Sequence, residues 1–218
     1  MVTSGNIVSG VMSLILSFHG HYYEAGWAIF IAVFFDFMDG FVARGLGGGT
    51  QFGIEFDSIA DVVSFGAAPA LLFYGAYMQD IMITGGIAAC SFSLCGGLRL
   101  ARFNVVHSVG PFQGMPIPAA GLFISSFVIA GIGLNPIFAA LLAFASAILM
   151  VSNVPYGNIK ALKKGNTNNV KLAMLFTIIL LIAVFGKNFA PLILMSIYVV
   201  SGFLRFDWGQ WLSLPASE

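Results

Sequence analysis

Apolar runs about as long as a bilayer is thick recur along this chain, separated only by short polar turns. Few folds accommodate that pattern. With 59% hydrophobic residues, 8% charged residues and a mean hydropathy of +0.95, the chain reads as an integral membrane protein rather than a soluble domain. Its 218 residues suffice for six to eight spans of about 20 residues with short connections. The pattern predicts an all-α, polytopic membrane helix bundle of about eight transmembrane helices, forming one domain over residues 1–218.

The first four predicted spans cover roughly residues 4–18, 25–44, 53–77 and 81–100. The other four cover roughly 117–133, 136–152, 169–185 and 189–204. Asn135-Pro136 marks the turn into the sixth. VPYGNIKALKKGNTNN, from Val154, is the longest loop, and Gly45 to Gly49 forms a flexible turn. The first apolar segment lacks a basic leader and an A-x-A-like cleavage site, so no cleavable signal peptide is expected. Its abrupt start suggests that a few natural N-terminal residues are missing.

Basic residues set the orientation. An eight-span path puts Arg44, Arg99, Arg102, Lys160, Lys163, Lys164, Lys171 and Arg205 on one side, leaving only Lys187 on the other. The first side is therefore expected to be cytoplasmic, in a multi-pass protein of the cell membrane. Tyr22, Tyr23 and Trp27 suit the outer interface, while Trp208 and Trp211 suit the inner one. The net charge of zero gives no reason to expect a nucleic-acid partner. Cys90 and Cys95 read as small core residues, not a disulfide or metal pair. His19 and His21 read as structural, and His107 as solvated.

Against this background the stretch from Asp36 to Asp61 stands apart, with five of the nine acidic residues. Carboxylates within spans cost about 2.5–3.5 kcal/mol each on insertion scales. On helices, Asp36, Asp39, Gly40 and Ala43 share an arc of about 100°, with Arg44 beside them. Gly53, Asp57, Asp61 and Ser64 share about 80° on the next helix. Two neighbouring antiparallel helices would thus aim four carboxylates into one cavity, open near the turn flanked by Arg44 and Gly53. An all-oxygen ligand set favours a hard divalent cation, Mg²⁺ or Mn²⁺, over zinc. Two ions bridged by aspartates would suit in-line displacement at phosphorus. Glu55, on a different face from Asp57 and Asp61, is not expected to be a ligand. Gly40 with Ala43 taken alone is a common helix-packing pattern.

The order Asp39-Gly40-x2-Ala43-Arg44-x8-Gly53-x3-Asp57-x3-Asp61 resembles the signature of the CDP-alcohol phosphotransferase family at every fixed position. Members move a substituted phosphate from a CDP-linked donor onto an alcohol and release CMP. The resemblance implies that Asp36, Asp39, Asp57 and Asp61 hold a centre of two metal ions. It gives Gly40 and Ala43 the space for cytidine, Arg44 and Gly53 the nucleotide, and Asp61 the role of general base. Thr3, Asn6 and Gly10 share a face that resembles the family's polar first helix, which makes Asn6, like Ser64, a candidate on the donor side. For Asn6, helix capping or packing is an equal alternative.

GLRLARFN from Gly97, GMPIPAA from Gly114 and SIADVVSFGAAPA from Ser58 resemble the phosphatidylserine synthase branch. Similarity covers roughly residues 3 to 121. That branch implies CDP-diacylglycerol and L-serine as substrates, giving phosphatidylserine and CMP among membrane lipids. Arg99 and Arg102, with Asn104 beside them, would meet the lipid phosphate or the serine carboxylate through the planar guanidinium fork. Topology anchoring is the plainer reading of both arginines, and of the loop lysines. Another acceptor, glycerol 3-phosphate or an inositol phosphate, is the rival within the family. An ion-coupled transporter is the rival outside it, although no internal repeat supports one. Such bundles often pair, so a homodimer is an expectation.

Overall fold

The computed structural model describes residues 2–45, 50–105, 112–156, 168–206 and 211–212, and only the backbone at 2, 43–45, 112, 113, 155, 169 and 170. The side chains of Ala43 and Arg44, the turn at 46–49, and His107, Lys160, Lys163, Lys164 and Trp208 lie outside the described residues.

The chain is helical almost throughout, as its apolar runs require. The helices are α1 (Val2–Phe18), α2 (Tyr22–Gly45), α3 (Gln51–Asp61), α4 (Ala68–Tyr77), α5 (Met82–Val105), α6 (Ile117–Ile129), α7 (Pro136–Val151), α8 (Asn169–Gly186) and α9 (Ala190–Phe203). A wider turn, Val62–Ala67, joins α3 to α4 as one rod. In it the Ala68 N–H reaches back five residues to the Val63 carbonyl. Pro69 explains the widening. It has no N–H to give the carbonyl four residues back, and its ring crowds that position in a regular helix.

By length and composition, four segments among the described residues are able to cross a membrane: Tyr22–Val42, Gln51–Tyr77, Gln79–Val105 and Lys171–Phe203. This suits a helical membrane protein but falls short of the eight spans expected. Helices α1, α6 and α7 are apolar but shorter, at 17, 13 and 16 residues. The expected fifth span, 117–133, stops at Ile129 because Gly131 turns away with a φ of 66°. The expected fourth runs on to Val105.

The core lies around α6, which packs against α2, the α3–α4 rod, α7 and α9. Nearly every side chain on α6 is buried. A helix that is apolar all round belongs inside, whereas α2, α5, α7 and α8 expose large apolar side chains outward. Cys90 is among the exposed positions on α5, so it is not the core residue expected, and Cys95 is half-buried. Both are free. On a helix apolar on every face, the residue type gives no sign of which side is packed.

One departure from a purely helical chain bears on the site. A two-residue antiparallel ribbon pairs β1 (Phe112–Gln113) with β2 (Pro155–Tyr156), Phe112 opposite Tyr156. It closes the end of the bundle where α5 and α7 finish. Tyr156, expected in a solvated loop, is 1% exposed.

Hydrogen bonds sort the connections into two ends. At one, Gln79 donates to the Tyr22 hydroxyl at 2.8 Å, the Tyr23 hydroxyl to Asn188 at 3.3 Å, and the Tyr77 hydroxyl to the Phe127 carbonyl at 3.0 Å. At the other, Lys171 Nζ donates to the Trp211 carbonyl at 2.8 Å and Arg102 to Asn153 at 3.3 Å.

Candidate active site

The acidic site is built on three helices, not two. Helices α2 and α3 hardly touch each other among the described residues, and α1 packs against both. Its polar face supplies the ties. The Thr3 hydroxyl donates to Asp39 Oδ2 on α2. Asn6 Nδ2 donates to Asp61 Oδ1 on the rod at 3.0 Å, and the Ser64 hydroxyl donates to the Asn6 carbonyl at 3.0 Å. Gly10 allows this approach, since a Cβ there would fall 2.3 Å from Ser64 Oγ and 2.7 Å from its Cα. Thr3, Asn6 and Gly10 therefore do share one working face.

Asp36, Asp57 and Asp61 each offer an oxygen, and these three oxygens lie within 4.8 Å of one another. Asp61 is 8% exposed, while Asp36 and Asp57 are half-buried. Asp39 stands outside this group, held by Thr3, but remains an electrostatic neighbour of Asp57. Two buried oxygens at the site, Asp57 Oδ1 and Asn6 Oδ1, have no hydrogen-bond partner. Three converging carboxylates with an unmet buried oxygen fit a hard metal ion, which would satisfy the oxygen and offset the like charges. The residues present thus suit a divalent cation.

The remaining expected site residues divide. Gly53 sits in the first turn of α3, where its N–H donates to the Thr50 hydroxyl at 3.1 Å; Thr50 caps the helix, a role the sequence reading missed. Gly40 is half-buried on the Asp36–Asp39 side of α2, and Glu55 is exposed. The two arginines face different partners. Arg99 is half-buried and an electrostatic neighbour of Asp61, with its Nε buried and unpartnered. Arg102 is exposed and bonded to Asn153. Asn104 does not join them, because its Nδ2 donates to the Ser58 hydroxyl at 3.0 Å and docks the end of α5 on α3. Tyr198, beside Arg99, was not anticipated from the sequence. Nothing in its apolar surroundings on α9 signals a role.

Carboxylates able to hold a metal beside a half-buried arginine suit chemistry on a phosphorylated substrate. The profile of the CDP-alcohol phosphatidyltransferase family matches residues 1–159. The chain belongs to that family. CDP-diacylglycerol–serine O-phosphatidyltransferase of Methanocaldococcus jannaschii is 35% identical over 211 residues, covering 96% of this chain and 94% of that protein. The Bacillus subtilis enzyme of the same name is 37% identical over 161 residues, 73% of this chain and 89% of its own. Archaetidylserine synthase of Methanothermobacter thermautotrophicus is 41% identical over 154 residues, 69% of this chain and 65% of its own. Membership in a transferase family sets aside the transporter reading. It extends past the residues the signature covers, since the M. jannaschii relative aligns along almost the whole chain.

Proposed function

We propose that this family member transfers the phosphatidyl group from CDP-diacylglycerol to the hydroxyl of L-serine, giving phosphatidylserine and CMP. The observation that carries the reading is the group of Asp36, Asp57 and Asp61, with Asn6 fixing Asp61. The relatives' names support the acceptor. They share serine while differing in the lipid, phosphatidyl or archaetidyl.

Asp36, Asp39, Asp57 and Asp61 would hold one or two divalent ions, Mg²⁺ or Mn²⁺, with two the number the signature implies. Bound there, the metal supplies positive charge against the phosphate oxygens and the leaving CMP. Asn6, Gly40, Ala43, Arg44, Gly53 and Ser64 form the donor side. One oxygen of Asp61 accepts from Asn6, which leaves the other for the proton of the serine hydroxyl. The serine oxygen then attacks the phosphorus that carries the diacylglycerol. The bond from phosphorus to the CMP oxygen breaks, and CMP departs with the electron pair. Arg99 meets an oxyanion of the bound substrates, with Arg102 and Asn104 at the rim.

In the membrane, the single domain 1–218 crosses eight times. Helix α1, the α2 and α3–α4 rods, α5, α6, α7, α8 and α9 provide the crossings, and the acidic site faces the cytoplasm. A homodimer is the proposed assembly.

The test is CMP release by the purified protein from CDP-diacylglycerol with a panel of alcohols. Release should require L-serine and a divalent metal, and Asp61→Asn should lower it by at least about 100-fold. Turnover with glycerol 3-phosphate but not serine would overturn the acceptor. Full serine-dependent turnover in Asp61→Asn would remove the base.

A further inference from the structure

We propose that Arg99, Tyr156 and Tyr198 form the pocket that takes the carboxylate of the acceptor, so that α5, β2 and α9 together select the alcohol. This rests on the serine-transfer reading above and adds two residues to it.

Tyr156 is 1% exposed, yet its hydroxyl has no hydrogen-bond partner. A buried tyrosine hydroxyl ordinarily finds one. Packing alone does not account for it, because phenylalanine would fill the same space without burying an unmet oxygen. The ring has nevertheless been given a fitted place. A Cβ at Gly202 would fall 2.3 Å from it, so α9 carries a glycine where the ring lies. Tyr156 stacks on Tyr198, ring centres 5.4 Å apart and planes 28° from parallel.

Tyr198 is in turn an electrostatic neighbour of Arg99, and Arg99 of Asp61. Arg99 Nε is the second unmet polar atom along this line. An N–H and an O–H donor, both buried and both unpartnered, are suited to one oxyanion. Position argues for the acceptor as its source. Asp61 must reach the acceptor hydroxyl, and serine carries its carboxylate on the carbon next to the one bearing that hydroxyl. An anion beside Arg99 is thus within a small molecule's length of the base. Arg102 is the weaker choice, exposed and bonded to Asn153.

Tyr156→Phe and Tyr198→Phe each remove one oxygen and keep the stacked rings. CMP release by the full-length protein is measured against L-serine, against CDP-diacylglycerol, and against ethanolamine, which lacks the carboxylate. Thermal melting of each variant is followed in parallel. The expected result is a KM for L-serine raised about 10-fold, kcat within about threefold, an unchanged KM for CDP-diacylglycerol and a reduced preference for serine over ethanolamine. A raised KM for CDP-diacylglycerol with serine unaffected would place the donor's phosphate in the pocket and overturn the acceptor assignment. No change in either KM would overturn the pocket. If the unaltered protein takes glycerol 3-phosphate instead of serine, the functional reading fails separately. The carboxylate assignment falls with it, and the KM for that phosphate in the two variants then decides whether an oxyanion pocket exists at all.

Discussion

Asn6 meets Asp61 through its amide nitrogen and leaves its amide oxygen buried without a partner beside the carboxylates. A hydrogen bond to a charged group contributes about 1.5–3 kcal/mol, and residues that orient metal-binding side chains typically account for 10–100-fold in activity. Asn6→Ala should therefore lower CMP release about 10–100-fold, read in the same assay with melting as a check on folding. Metal removal belongs to this scale too. A chelator should abolish turnover, and Mg²⁺ or Mn²⁺ should restore it where Zn²⁺ does not, since every candidate ligand atom is oxygen. Retained activity in exhaustively chelated protein would sink the metal assignment. Among single residues, the convergence of Asp36, Asp57 and Asp61 was legible from spacing because helical periodicity fixes which side chains share a face, whereas Asp39 stands apart, held by Thr3. Their partners were less so. The Thr3–Asp39 and Asn6–Asp61 pairs are 36 and 55 residues apart in sequence, and no local rule connects such positions.

At the scale of elements, the α3–α4 rod is the part that sequence periodicity described least well. The wide turn over Val62–Ala67 follows Asp61 directly and carries Ser64, which reaches across to α1. Once the turn widens, residues in and beyond it are rotated relative to a regular helix, so the arc counted from Gly53 to Ser64 holds only as far as Asp61. The contact at Gly10 depends on this geometry. Gly10→Val should push α1 off the rod, lower the melting midpoint by an amount equivalent to about 1–3 kcal/mol, and reduce activity through Asn6. An unchanged melting midpoint would show that α1 does not bear on the rod there. Most helix bounds agreed with the sequence expectation within a few residues, because polar breaks between apolar runs are local signals. Tyr156 did not agree. Its burial comes from Tyr198 and Gly202 on α9, which sequence places more than forty residues later.

For the whole molecule, the decisive element is α6, short, apolar but for Ser125 and Ser126, and surrounded. At 13 residues it is about 20 Å long, less than the roughly 30 Å of a bilayer core. Its burial within protein relieves it of the need to match the lipid. The two ends of the bundle support one topological prediction. In a background without Cys90 and Cys95, Lys187→Cys should react with a membrane-impermeant maleimide added outside intact cells. Trp211→Cys should react only after permeabilisation. Labelling of both from the same side would overturn the eight-crossing path.

By itself the sequence determined the membrane class, the helix order, the acidic stretch and its family signature. Each is written in residues close together or in a regular period along a helix. Tertiary structure alone decided that α1, not α2 against α3, bridges the carboxylates. It also separated Arg99 from Arg102 and stacked Tyr156 on Tyr198, the neighbour of Arg99. These are choices about which apolar face meets which, and residues apolar on every face do not encode them locally. Packing of the whole bundle makes the choice, and it leaves Asp57 Oδ1 and Asn6 Oδ1 buried at the site without a hydrogen-bond partner.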